Sequence, residues 1–168
     1  ITSRICGVCP VVHNLSSIKA IESALGVKPD DTVILFRKLL LLGEIVQSHI
    51  LHVFLLSAPD FLGDTNDLNV IKKYPKESEL AFQVRDFSVN VMKIVGGRSV
   101  HPIACEVGGF KILPEKQALK EIFAKCDSIL EATLAIHKFI TKIKLPELEV
   151  ELRPISSSLS GEYSFYCH

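Results

Sequence analysis

Neither charge sign is in surplus: nineteen lysines and arginines stand against nineteen aspartates and glutamates. A neutral chain gives no electrostatic ground for nucleic acid or an anionic membrane surface as a partner. Tryptophan is absent and aromatic residues make up only 7% of the chain. No segment is low in complexity and no internal repeat is present. With 48% apolar residues the composition is globular, and neutrality at that apolar fraction fits a subunit that buries surface against other chains. An even cysteine framework is missing too. The five cysteines (Cys6, Cys9, Cys105, Cys126 and Cys167) are irregularly spaced, which argues against a secreted disulfide scaffold and for metal or redox use of the one tight pair. No signal peptide is visible, although the chain opens on Ile1 and closes on Tyr166-Cys167-His168, so that both ends read as cut.

At 168 residues the chain is the size of one ordinary domain, enough to bury about 70% of its unfolded surface. Residues 14–25 read as a short helix with Ile18, Ile21 and Leu25 on one face and Gly26 as its stop. Asp30 or Asp31 then opens a long helix to about Ser57. That helix is apolar enough to raise a membrane span, but Glu44, Gln47, His49 and His52 interrupt the only window of sufficient length. A central core helix is the expectation, and no membrane span. Residues 60–77 read as a polar loop, and Ser78 as the cap of a helix whose Leu80, Val84, Phe87, Val91 and Ile94 keep four-three spacing up to Gly96-Gly97. Pro114 opens a further helix to about Lys144, with Leu119, Ile122, Cys126, Ile129 and Ile136 in one seam. From Leu148 to Phe165 the period changes to two, which predicts a hairpin or edge strand pair. The fold expected is mainly α: a bundle of long antiparallel helices with a small β element near the C-terminus, forming a single partial domain over 1–168.

The densest chemistry is Arg4-Ile5-Cys6-Gly7-Val8-Cys9-Pro10-Val11-Val12-His13. On a loop entering a helix, cysteines three apart bring two thiolates to one metal. His13, four beyond Cys9, returns one turn later as a third ligand or as a hydrogen-bond partner of a sulfur. Soft thiolates suit nickel, iron, zinc or copper(I) and disfavour magnesium or calcium. A dithiol redox pair would sit at a strand-to-helix junction, whereas the elements that follow here are all helical. A structural zinc site needs four ligands; no second C-x-x-C appears, although Cys105, Cys126 and His101 are open to recruitment. Spacing alone gives half of a thiolate metal site, with the other half elsewhere.

The same stretch resembles the N-terminal nickel signature of [NiFe]-hydrogenase large subunits, R-x-C-G-x-C-x-x-x-H, at every defined position. Ser48-His49-Ile50-Leu51-His52 resembles that family's S-H-x-x-H on a long core helix. Gly96-Gly97-Arg98-Ser99-Val100-His101-Pro102, followed by Val107-Gly108-Gly109-Phe110, resembles its G-G-[RK]-x-x-H-P…V-G-G block, so the resemblance spans essentially the whole chain. It implies a Ni–Fe centre, with iron carrying diatomic ligands, held by four thiolates. Cys6 would be a terminal nickel ligand and Cys9 a thiolate bridging nickel and iron. His13 would hydrogen-bond toward the bridging sulfur, and His101 would face the small subunit near an iron–sulfur cluster. His49 and His52 are open to the same polar interior or to a plain core role, Cys126 to the core, and His137 to the surface. The reaction implied is heterolytic cleavage of H2 or its reverse, with electrons leaving through iron–sulfur clusters of a partner subunit. The wording around His13 and His52 is closest to the cytoplasmic, multi-subunit archaeal and bacterial branch, whose partners use NAD(P) or a deazaflavin.

Two family features are missing. The C-terminal D-P-C-x-x-C block is absent, and Cys167-His168 has neither its spacing nor its flanks. The upstream R-G-x-E segment is absent as well. With two thiolates of four, the chain is expected to be a central piece of the large subunit, unable to hold the centre alone. The rival expectations are a related quinone-reductase subunit of respiratory complex I, a family lacking the nickel cysteines, and a zinc-stapled interaction domain without catalysis.

Overall fold

The computed structural model describes residues 1–64, 67–147, 149–156, 158 and 160–161. After a 3-10 turn at Thr2–Arg4, helix α1 spans Pro10–Leu25. It starts four residues ahead of the expected Asn14, because a proline is well suited to the first helical position, where its missing N–H costs nothing. Gly26, at φ 68°, ends the helix in the left-handed conformation. Asp30 caps α2 (Asp31–Ile50), its side chain accepting from the Val33 amide at 2.8 Å. The helical path continues through a wide π-helical segment, Leu51–Ser57, into the short α3, Ala58–Phe61.

The region expected to be a loop, 60–77, holds α4 (Asp67–Lys73), and α5 (Pro75–Gly96) begins before Ser78. Ser78 is not a cap; its hydroxyl donates back to the Tyr74 carbonyl at 2.7 Å. Proline at the first helical turn explains the earlier start here as it does in α1. A two-residue antiparallel pair, β1 (Cys105–Glu106) and β2 (Gly109–Phe110), follows, with Gly108 at φ 81° in the turn.

The helix expected over 114–144 is two helices, α6 (Lys116–Phe123) and α7 (Cys126–Ile140). The break has a packing cause. Ile122 belongs to one buried cluster with Val11, Leu15, Ile18, Leu40, Leu41, Val91, Met92 and Val95. Ala132 and Ile136 belong to another, with Phe54, Val70, Ala81 and Val84. Each half thus docks on a different buried cluster. Cys126, at the break, is exposed and not a core residue as its seam position predicted.

In the tail, residues 149–156, 158 and 160–161 carry no strand; the rest of the predicted strand pair lies outside the described residues. Val150, Leu152 and Ile155 are exposed, so the alternating pattern finds no surface to cover.

Among the described residues the architecture is the expected helical bundle with one small sheet, which lies at 105–110 and not in the tail. α2 and α5 run antiparallel at close range: a Cβ on Gly43 would lie 3.2 Å from Met92 Cγ and 3.2 Å from the Ser88 carbonyl oxygen, while Leu40 reaches Gly96. Among the described residues, Asp31–Phe61 is the one helix long and apolar enough to cross a membrane. Its inward side nevertheless carries buried Arg37, Glu44 and Gln47, each hydrogen-bonded by other parts of the chain.

Candidate metal centre

Cys6 and Cys9 lie on the loop between the 3-10 turn and α1, and Cys9 is the residue immediately before the helix. The loop folds its amides toward the Cys6 sulfur: Cys9 N–H donates to Sγ at 3.2 Å and Val8 N–H at 3.4 Å. A hydrogen bond from the Cys9 side chain, followed by those amides, holds the Cys6 thiol below its ordinary range. As the donor in that contact, and partly desolvated, Cys9 is pushed up to about 11. The ionised form is therefore favoured at Cys6 and the thiol form at Cys9, which donates to it, and the pair is set at the positive end of a helix dipole.

The backbone flanking Cys9 is held by α2. Glu44 accepts from Val11 N–H through Oε2 at 3.0 Å and from Val12 N–H through Oε1 at 3.0 Å. One turn along the same helix, Gln47 Nε2 donates to the Val8 carbonyl at 3.4 Å. Burial raises the Glu44 carboxyl to about 7, against the pull of the two amides. A cavity of about 270 Å³ opens beside this contact, lined by Cys9, Val12, Leu41, Glu44, Ile45, Ser48 and His49.

The histidines are less concentrated than the motifs implied. His13 is half-buried on α1, one turn beyond Cys9. The hydrogen bonds at the sulfurs come from the Val8 and Cys9 amides and from the cysteines themselves. His101 adopts φ 57°, a conformation strained for a non-glycine residue. Its Nδ1 meets the Ser3 carbonyl oxygen at 2.6 Å, tying the segment after α5 to the turn before Cys6. His49 and His52 are exposed and not in a polar interior. His49 Nδ1 meets the Ile45 carbonyl at 2.8 Å and His52 Nε2 meets the Ser57 hydroxyl at 3.1 Å. His137 is exposed, as expected. Cys105 is buried, its thiol pushed up to about 12 by desolvation, while Cys167 lies outside the described residues.

Sequence reasoning missed Glu22, Arg37 and the role of Glu44. Glu22 and Arg37 join α1 to α2 in a buried ion pair at 2.7 Å. Arg37 also donates to the Glu106 carbonyl at 3.0 Å, and Glu22 accepts from the Gly108 amide at 2.7 Å. The available signal was the presence of Arg37 and Glu44 seven residues apart, two helical turns, on a largely apolar helix. Such charges are retained in a core only when something answers them.

Among the described residues, no group of three or more His, Cys, Asp or Glu side chains converges on one point. Two neighbouring sulfurs, one with its ionised form favoured, fit a soft metal in donor chemistry and are two of the four thiolates that the resemblance implies.

Residues 1–86 match the family model described as nickel-dependent hydrogenase. The alpha subunit of sulfhydrogenase 1 from Pyrococcus furiosus is 33% identical over 153 residues, covering 91% of this chain and 35% of that subunit. The vhu chain of the F420-non-reducing hydrogenase from Methanocaldococcus jannaschii is 34% identical, covering 78% of this chain and 33% of that protein. Among solved structures, an NAD+-reducing [NiFe]-hydrogenase in the H2-reduced state superposes with a TM-score of 0.79 at 26% identity, over 84% of this chain and 33% of that one. The chain thus spans about a third of the length of the relatives it matches.

Proposed function

Given that the chain belongs to the nickel-dependent hydrogenase family, we propose that it is the nickel-loop portion of a catalytic large subunit whose complete form oxidises H2 or reduces protons. The observation that carries this reading is the Cys6–Cys9 pair, with one sulfur already favoured as thiolate by two amides and a thiol donor. When bound, the Ni–Fe centre supplies the heterolytic splitting of H2. Cys6 and Cys9 would hold the centre from this chain, Cys6 through a sulfur able to take up a proton and Cys9 as the second thiolate ligand. His13, one turn along α1, would tune the Cys9 sulfur by hydrogen bonding once the centre is bound. Cys9 is a thiol in the metal-free loop and gives up its proton before its sulfur serves as a ligand. The other two thiolates come from sequence that the matching third of the relatives does not include.

His101, which the structure ties to the Ser3 carbonyl, is the residue we assign to the face toward a small subunit that carries iron–sulfur clusters. The structural neighbour named as an NAD+-reducing [NiFe]-hydrogenase supports a further nicotinamide-linked subunit, whereas relatives named F420-non-reducing lend no support to a deazaflavin-linked one. An intact cysteine pair disfavours the quinone-reductase reading, since that family lacks these cysteines.

Metal analysis of the full-length subunit in its complex tests the proposal. Nickel and iron are expected at about one each per subunit, with both lost in Cys9→Ser. Stoichiometric zinc in their place, with helices that melt on chelation, overturns it.

A further inference from the structure

The first turn of a helix leaves backbone amides without intrahelical partners, and the N-cap side chain ordinarily accepts from the second or third of them. In α1 the N-cap residue is Cys9, which makes no side-chain cap. A thiol is a poor acceptor in any case. Pro10, at the first helical position, has no N–H. The two amides left to satisfy are those of Val11 and Val12, and Glu44 answers one with each carboxylate oxygen, from 33 and 32 residues away. Glu44 is only 2% exposed, so water does not stand in for it. Gln47 holds the Val8 carbonyl on the other side of Cys9. α2 therefore grips the backbone on both flanks of Cys9 and leaves the sulfur uncommitted to the helix. α2 is itself fixed by the tight Gly43 approach to α5.

We infer that Glu44 is a positioning residue for Cys9, supplying from α2 the helix cap that a metal-binding cysteine at the N-cap position is not free to supply. The inference rests on the reading of Cys9 as a ligand given under Proposed function. It assigns Glu44 no contact with H2 or with metal. Its effect passes through the two amides that set where α1 begins, and so where the Cys9 sulfur points.

The test uses the full-length subunit in its complex, with Glu44→Ala, Glu44→Gln and Gln47→Ala. Hydrogen exchange of peptides covering residues 9–14 is compared with that of α5, alongside nickel content and the nickel X-ray absorption edge. Glu44→Ala is expected to speed exchange at Val11 and Val12 about tenfold, the usual scale for losing a cap, with α5 unchanged, nickel occupancy reduced and the edge spectrum altered. Glu44→Gln, which keeps one acceptor oxygen, falls between Glu44→Ala and the parent. Gln47→Ala produces a smaller effect confined to the Val8 side. Parent-like exchange and parent-like nickel spectra in Glu44→Ala overturn the inference. So does a Glu44→Gln protein as damaged as Glu44→Ala with α5 loosened too, which marks Glu44 as a general packing residue. A parent protein free of nickel overturns the functional reading instead, and the exchange contrast still decides the capping role.

Discussion

Glu22 and Arg37 meet in a two-point ion pair, Nη2 to Oε1 at 2.7 Å and Nη1 to Oε2 at 2.9 Å, with both side chains buried. The pair is also the junction of three elements. Glu22 sits on α1, Arg37 on α2, and each reaches the β1–β2 hairpin, through the Gly108 amide and the Glu106 carbonyl. The fork geometry of guanidinium against carboxylate, with a backbone partner for each side chain, is the arrangement in which a buried pair keeps its charges compensated. It fixes the far end of α1, the helix whose near end carries Cys9.

Replacing one partner leaves the other charge buried and uncompensated. Glu22→Gln keeps the size of the side chain but removes its charge, so Arg37 stays in the core with no anion. A loss of about 3–5 kcal/mol is expected, read as a lower urea midpoint with an unchanged slope. A double variant, Glu22→Gln with Arg37→Met, should recover much of that loss. A single variant within about 0.5 kcal/mol of the parent would show that the pair is not compensating a core charge.

The same pair makes stability depend on acid. The hydrogen bond from Arg37 holds the Glu22 carboxyl below the usual range against its desolvation, helped by the Gly108 amide and the nearby positive charges of Arg37 and Lys19. A depressed folded-state value means that the unfolded chain binds the proton first. The contribution is therefore fully present above the unfolded value of about 4.3 and is lost as pH falls through the folded value. Urea midpoints of the parent should fall between pH 5 and the acid limit more steeply than those of Glu22→Gln. Parallel curves would remove Glu22 as the source.

A third expectation concerns Gly96, the last residue of α5. A Cβ there would meet Pro102 Cβ at 2.9 Å and Leu40 Cδ1 at 3.0 Å. The proline ring is not a flexible neighbour, and at a helix end the propensity gain from alanine is small. Overpacking should dominate, and Gly96→Ala is expected to cost about 1–3 kcal/mol. A thermal melt at or above the parent's would show that Pro102 and the segment carrying His101 yield without strain.

Much of this was legible in the sequence because its signals are local. The cysteine loop shows as half of a soft-metal site through closely spaced residues, and the α5 seam through Val84 and Val91, both buried. What escaped depends on contacts across long separations. Glu44 read as a flaw in an apolar helix, because its partners Val11 and Val12 lie more than thirty residues away. The split between α6 and α7 follows from two buried clusters that exist only once α1, α2 and α5 have assembled. The seam pattern itself runs unbroken across Ala124 and Lys125, so periodicity carried no sign of the break. His49 and His52 fit a motif, yet they fall on the exposed side of their helix, which spacing does not reveal.

The last expectation concerns the order in which the cysteines react. Thiolate is the attacking form, so reactivity follows exposure and the ease of losing the proton. Cys6 is half-buried and stabilised as thiolate by the Cys9 side chain and the Val8 and Cys9 amides. Cys9 is held as the thiol, near 11, and Cys105 is buried and pushed up to about 12. In metal-free protein, iodoacetamide at neutral pH is expected to modify Cys6 first, Cys9 well behind it and Cys105 only on unfolding, as read by peptide mass spectrometry over time. The exposed Cys126 labels independently and serves as an internal clock. Once Cys6 is alkylated its sulfur no longer accepts the Cys9 proton as a thiolate would, so Cys9 should become easier to ionise and its own rate should rise. Labelling of Cys9 ahead of Cys6 would reverse the assignment of thiolate and thiol within the pair, and with it the account of which sulfur the loop prepares.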